Sequence, residues 1–393
     1  MHDFKVALAE LEAQHLLRKR RVVSSPSSPR MQVADRSVLS FCNNDYLGLA
    51  NDLRIAAAAR DAMDSFGIGA SASALISGHS AAHASLEYAL ARFVGMPGAL
   101  TFTNGYMANI GVITALIGPG DTVFCDRLNH ASLIDGIRLS RAELKVYPHV
   151  DTDRLAHLLA KCTSKRKLIV TDAVFSMDGD IAPLPTLLAL CERYDAWLMV
   201  DDAHGFGVLG PQGRGSLAHF KTDSTTHSER VIYMATLGKA VGVAGAFVAA
   251  NEDIVAWLIQ RARTYMFTTA NPALLAHAAS AALTLIEEEE WRRDHLKMLG
   301  EALRHALKGL PWTLAPSQTA IHPLIIGDNQ TTHMLARLLW NQSIWVPAIC
   351  PPTVPKGTAR LRISLGALHT MADIAHIAAS LHAAAATLTK EPG

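Results

Sequence analysis

Trp197-Leu-Met-Val-Asp-Asp-Ala-His204 sets an apolar run against two acids and a histidine. The run has the composition of a buried strand, and the polar residues begin where it ends. The same grammar recurs on either side. Leu168–Asp172 precedes it, and Val231–Ala235 follows, running into Thr236-Leu-Gly-Lys239. Further out, Ala99–Thr103, Thr122–Asp126 and Gly245–Ala249 read as strands, with helical patterns such as Leu184–Tyr194 between them. The alternation predicts an α/β class, with a mostly parallel mixed sheet covered by helices. In such sheets ligands bind beyond the carboxyl ends of the strands, so chemistry is expected at these polar strand ends.

The flanks have a different character. Residues 3–20 predict an amphipathic helix ending in Arg18-Lys-Arg-Arg21, a basic run that suits a solvated helix end. Ser24–Pro29 follows as a loop by composition. Residues 252–307 read as mainly helical. Ile321–Ile326, Trp345–Ile349 and Arg360–Ser364 read as strands, and Met371–Leu388 as a closing helix. The expected division is an N-terminal arm over 1–45, a large domain over 46–285 and a small α+β domain over 286–393.

Composition narrows the function classes. Of 393 residues, 50% are hydrophobic and 18% charged, which excludes wholesale disorder. With 36 basic and 35 acidic residues, the net charge of +1 exerts no pull toward nucleic acid or anionic membrane. Cys42, Cys125, Cys162, Cys191 and Cys350 are scattered without a C-x-x-C pair, so neither a disulfide framework nor a metal site is expected. No stretch reaches the roughly 18 apolar residues of a membrane span. Asp3, Glu10 and Glu12 break the apolar core that a signal peptide needs, and a cytoplasmic protein is expected.

Gly205-Phe-Gly-Val-Leu-Gly210 matches the dinucleotide pattern G-x-G-x-x-G after a strand. That reading requires a helix to start within the glycines. Pro211, Gly213 and Gly215 disfavour one, so a glycine-rich loop is expected instead.

Four strand ends remain: Asp201-Asp-Ala-His204, Thr236-Leu-Gly-Lys239, Phe175-Ser-Met-Asp-Gly-Asp180, and Thr103-Asn-Gly-Tyr-Met-Ala-Asn109. Taken singly, an acid there is a helix cap and a lysine a solvated charge. Taken together they meet the needs of pyridoxal phosphate. That cofactor takes a lysine for its Schiff base, a carboxylate for its pyridinium nitrogen and a helix N-terminus for its phosphate.

The chain resembles the α-oxoamine synthases, fold-type I pyridoxal phosphate enzymes, over essentially its whole length. Phe41–Leu49 carries the family's N-D-Y-L-G-L motif. Ser77-Gly-His79 with His83 and Leu86-Glu87 matches the next segment. Asn129–Ser132, Phe175–Asp180, Asp201–Gly205 and Thr236–Lys239 follow in order. Ile326–Asn329, Pro351–Pro355 and Gly357–Arg362 resemble the family's biotin-synthesis branch in particular.

The resemblance implies roles. Lys239 would hold the cofactor and move protons at the substrate Cα, and Asp201 would pair with the ring nitrogen. His204 and Ser176 would meet the phenolic oxygen, and His130 would stack on the ring and position substrate. Thr236, Gly105 and Tyr106 would bind the phosphate. Thr268, with Thr269, lies in a segment that reaches the partner's site in the family, which implies a homodimer with shared active sites. Arg18, Asn44, Thr353 and Arg362 would contact substrate, with Arg362 gripping the amino-acid carboxylate. The implied substrates are L-alanine and a pimeloyl thioester, carried by coenzyme A or an acyl-carrier protein. Cys350 departs from the arginine common in relatives before Pro-Pro-Thr.

Other readings are glycine-using members, of the 2-amino-3-ketobutyrate ligase or 5-aminolevulinate synthase type, and a non-catalytic partner subunit. The latter would lack the lysine, and Lys239 is present.

Overall fold

The computed structural model describes residues 3–14, 16–220 and 229–388. Its contacts group into two units. The larger holds Leu49–Ser176 and Asp180–Arg293; the smaller holds Met1–Gly48, Met177–Gly179 and Asp294–Gly393.

Two strands precede the larger unit, β1 (Arg30–Val33) and β2 (Arg36–Ser40). The larger unit is built on β3 (Gly98–Phe102), β4 (Thr122–Asp126), β5 (Glu143–Tyr147), β6 (Lys167–Asp172), β7 (Trp197–Asp201), β8 (Val231–Thr236) and β9 (Ala246–Ala250). Their order in space is β3-β9-β8-β7-β6-β4-β5. From β8 to β5 the strands are parallel, and β9 runs antiparallel to both its neighbours. The sheet is thus mixed and mostly parallel, as the alternation predicts. β4 and β9 are buried along their whole length, because helices cover both faces. Leu100, Ile113, Val170, Met199 and Ile232 form part of one buried cluster. Each such side chain contributes about 1.5–3 kcal/mol by leaving water.

Register sets the functional edge. Asp172 pairs with Asp201 across β6 and β7, and Asp201 with Met234 across β7 and β8. The polar ends of three adjacent parallel strands therefore line up. The helix Gly105–Leu116 starts after β3, capped by Asn104, whose side chain accepts from the Met107 N–H.

The glycine-rich stretch forms a loop without a dinucleotide-type helix. Gly207, Gly210, Gly213 and Gly215 all adopt positive φ. A Cβ on Gly205 would overlap Asp202 Oδ1 and Ser216 Oγ. The loop wraps the Asp202 carboxylate, which accepts from the Ser216 N–H (2.6 Å), the Ser216 hydroxyl and the Tyr233 hydroxyl (2.7 Å). Burial raises Asp202 to about 6 against the lowering effect of these donors.

In the smaller unit, β11 (Ile321–Gly327) and β14 (Ala359–Ser364) form an antiparallel centre flanked by β10 (Thr313–Leu314) and β13 (Ala348–Ile349). β12 (Ile344–Trp345) runs parallel to β2 and extends the β1–β2 hairpin to three strands. Among the described residues, no helix is long and apolar enough to cross a membrane.

Two local expectations are corrected. The N-terminal helix spans only Phe4–Ala13, because the Leu16 and Leu17 N–H groups turn back to the Leu11 carbonyl. The basic run therefore lies beyond the helix. Residue 15 is outside the described residues. The strand expected over Trp345–Ile349 is two short pieces, because Pro347 lies between them and has no N–H for a ladder.

Candidate active site

Lys239 follows β8, and its Nζ lies 2.8 Å from Nε2 of His204, which is buried three residues beyond the end of β7. Asp201, the last residue of β7, is 4% exposed. Its Oδ1 accepts from the Ala203 N–H (3.0 Å) and its Oδ2 from the Asn109 side-chain amide (2.7 Å). One amine, one imidazole and one fixed carboxylate thus come from two adjacent strand ends.

The Asn109 amide also donates to Ser132 Oγ at 2.8 Å, and Ser132 Oγ lies 2.7 Å from His130 Nδ1. The Ser132 N–H points at the same nitrogen. The direction of this chain makes Nδ1 an acceptor and assigns the ring proton to Nε2. Burial lowers the His130 pKa, which keeps the ring neutral. The His130 N–H donates to Asp172 Oδ2 at 2.6 Å. Burial first, then the Asp201 carboxylate, push Asp172 well above the usual carboxylate range.

Gly105 and Tyr106 open the helix after β3, and their N–H groups are among the donors that no helix satisfies internally. A Cβ on Gly105 would lie 4.0 Å from that of Thr236, so this helix end adjoins the end of β8. The Thr236 hydroxyl donates to the Gly245 carbonyl and accepts from the Gly238 N–H. Tyr106 packs edge-on to His130, and its hydroxyl donates to Asp135. Ser176 is half-buried directly after Phe175.

Thr268 lies elsewhere in the larger unit. It lines a small cavity of about 30 Å³ with His79, His83 and Asn271. His83 Nδ1 accepts from the Ser80 N–H, so its Nε2 donates to the Asn271 carbonyl. Glu87 accepts from the Thr101 N–H and hydroxyl. The Ser77–Glu87 motif therefore ties a helix to β3 and to the segment that bears Thr268.

In the smaller unit Arg362, on β14, is buried. It donates to Ser364 Oγ (2.6 Å), Asn44 Oδ1 (3.2 Å) and the Tyr46 hydroxyl (3.5 Å). Arg18 and Thr353 line one open groove of about 1300 Å³, together with Arg21, His333, Trp340 and Cys350. The Arg21 guanidinium stacks 3.6 Å above the Trp340 ring. Cys350 Sγ lies 3.6 Å from His333 Nε2.

The donor set of the larger unit fits pyridoxal phosphate: an amine, a buried carboxylate fixed from two sides, a neutral imidazole and a helix N-terminus. Sequence reading did not single out Asn109, Ser132 or Asp172 as site residues. Their signal was weak but present. Asn109 is a polar residue in an otherwise apolar helix, and Asp172 ends a strand as Asp201 does.

Known proteins agree with this geometry. The family model for aminotransferase class I and II matches residues 36–381. The 8-amino-7-oxononanoate synthase 1 of a Polaromonas species is 55% identical over 385 residues, covering 97% of this chain and 95% of that one. The 8-amino-7-oxononanoate synthase of Nitrosomonas europaea is 54% identical over 379 residues, 96% of this chain and 98% of its own. Among solved structures, the serine palmitoyltransferase of Sphingomonas wittichii superposes with a TM-score of 0.93 at 29% identity, over 99% of this chain and 98% of that one. An 8-amino-7-oxononanoate synthase from Francisella tularensis gives 0.77 at 29% identity, over 90% and 98%. The chain belongs to the class I and II aminotransferase family and, within it, groups with the 8-amino-7-oxononanoate synthases.

Proposed function

We propose that this enzyme condenses L-alanine with a pimeloyl thioester, releasing carbon dioxide and the free thiol carrier and giving 8-amino-7-oxononanoate. The observation that carries the reading is the Lys239–His204 contact of 2.8 Å beside the fixed Asp201 carboxylate. Bound pyridoxal phosphate supplies an electron sink for charge at the amino-acid Cα. The chain's residues do the rest. Lys239 takes and returns the Cα proton. His204 holds its amine and, with Ser176, would face the phenolic oxygen. Asp201 would keep the ring nitrogen protonated, and the neutral His130 would lie against the ring face. Gly105, Tyr106 and Thr236 would hold the phosphate, completed by Thr268 of a second copy in a homodimer. Arg362, held by Asn44, takes the amino-acid carboxylate. Arg18 and Thr353 guide the acyl thioester. A cytoplasmic location goes with this reading.

Product identification by mass spectrometry tests it. The protein with pyridoxal phosphate receives L-alanine or glycine, each with pimeloyl-CoA or acetyl-CoA. The expected product is 8-amino-7-oxononanoate, from alanine with pimeloyl-CoA. A glycine-derived aminoketone instead would overturn the substrate assignment. One methyl group is worth only about 1–3 kcal/mol, so the preference is expected to be graded.

A further inference from the structure

We propose that His149 is a positioning residue for the active site: bound between Asp126 and Asp180, it ties the segment bearing Ser176 to the strand end that leads to His130. The inference rests on the pyridoxal phosphate reading of the site. His149 follows β5, outside every motif quoted above. Its Nδ1 lies 3.0 Å from Asp126 Oδ1, and its Nε2 lies 2.8 Å from Asp180 Oδ2. Its ring also packs edge-on to Phe175, at 4.4 Å and 88°.

Each partner organises one side of the site. Asp126 ends β4 and accepts from the Leu128 N–H (2.8 Å) and the Val150 N–H (2.8 Å), so its carboxylate shapes the turn that delivers His130. Asp180 closes the other segment, where its carbonyl accepts from the Phe175 N–H at 3.0 Å and Val174 bridges to Ile181. Ser176 is the next residue. Asp180 Oδ1 is buried without a partner among the described residues, so His149 supplies the compensation for that carboxylate.

The backbone points the same way. Val150, next to His149, has φ +57°. A β-branched residue in the left-handed region is costly and persists where surrounding bonds over-determine it. Here those bonds are the Val150 N–H to Asp126 and the two His149 contacts. The charged groups facing the ring are Asp126, from β4, and Asp180. Burial works against the charge, but the two carboxylates outweigh it and raise His149 to about 10. The tie is therefore an imidazolium through the neutral pH range.

The test uses the holoenzyme and the variants His149→Gln and Asp180→Asn. Amide hydrogen exchange is read at 126–130 and 174–176, the cofactor dissociation constant by absorbance, and kcat and KM across pH. Both variants are expected to speed exchange in both segments about tenfold or more. They are expected to lower kcat with less effect on KM, and to weaken cofactor binding, again by about tenfold. In Asp180→Asn the alkaline limb of the profile moves to lower pH, because one of the two stabilising carboxylates is gone. Unchanged exchange, cofactor affinity and pH profile, with only the melting temperature lowered, would overturn the proposal. If His149→Gln does not fold, Asp180→Asn decides alone. Failure of the wild type to bind the cofactor would overturn the reading the proposal rests on, while exchange would still report whether the tie exists.

Discussion

Lys239 Nζ and His204 Nε2 are 2.8 Å apart, and they come from the ends of adjacent parallel strands. The contact fixes the amine of a flexible side chain at the strand edge where Asp201 is also held. Sheet register, more than any single side chain, creates this proximity.

Removing the imidazole tests the contact. His204→Ala is expected to slow exchange of the alanine Cα proton about 100-fold or more, as loss of an oriented acid–base partner does. Proton NMR in deuterium oxide, with no thioester present, measures it without the later steps.

Asn109 links Asp201 to Ser132 and His130 through one amide. Asn109→Leu leaves a buried carboxylate short of a donor and cuts the chain to the imidazole. Losing a hydrogen bond to a buried charged group costs about 1.5–3 kcal/mol. Cofactor affinity, measured by absorbance titration, is expected to fall about 10- to 100-fold.

The glycine-rich loop gives a prediction about stability. Gly215, at φ +94°, would set a Cβ 2.5 Å from Asp202 Oδ2 and against the Tyr233 hydroxyl. Gly215→Ala is therefore expected to destabilise the protein by about 2 kcal/mol or more, read from denaturant unfolding. Gly118→Ala, where no heavy atom lies within 4 Å, is the control and is expected to change little.

The central strands were legible because burial on both faces makes them continuous apolar runs with polar ends. Thr122–Asp126 and Trp197–Asp201 match the sequence reading at both ends. β5 was not legible: Glu143-Leu-Lys-Val-Tyr147 sits at the sheet edge, and its charged residues hide a strand. The β1–β2 hairpin was missed because its two runs are short and flanked by polar residues, and its third strand comes from 344–345. Lys239, Asp201 and His204 were legible as chemistry-bearing strand ends. Asn109 and His149 were not, because their partners are distant in sequence and only the fold brings them together.

His322 makes the clearest pH prediction. It is buried on β11, and neither ring nitrogen has a partner among the described residues. Burial, with Arg304 adding to it, lowers it to about 3 from an ordinary 6.5. Its folded pKa lies below its unfolded one, so unfolding takes up a proton between these values. Stability is therefore lost as pH falls from about 6.5 toward about 3. His322→Leu is expected to weaken this acid dependence and to add about 1 kcal/mol at neutral pH by removing an unsatisfied buried group. Urea unfolding at several pH values measures both.

The central claim is that Lys239 carries the cofactor at this strand edge. Borohydride reduction of the reconstituted protein, followed by peptide mass spectrometry, tests it most directly. The account predicts a phosphopyridoxyl group on the peptide containing Lys239, and its loss from that position in Lys239→Ala. The same group on another lysine of the wild-type protein, or on none, would contradict it.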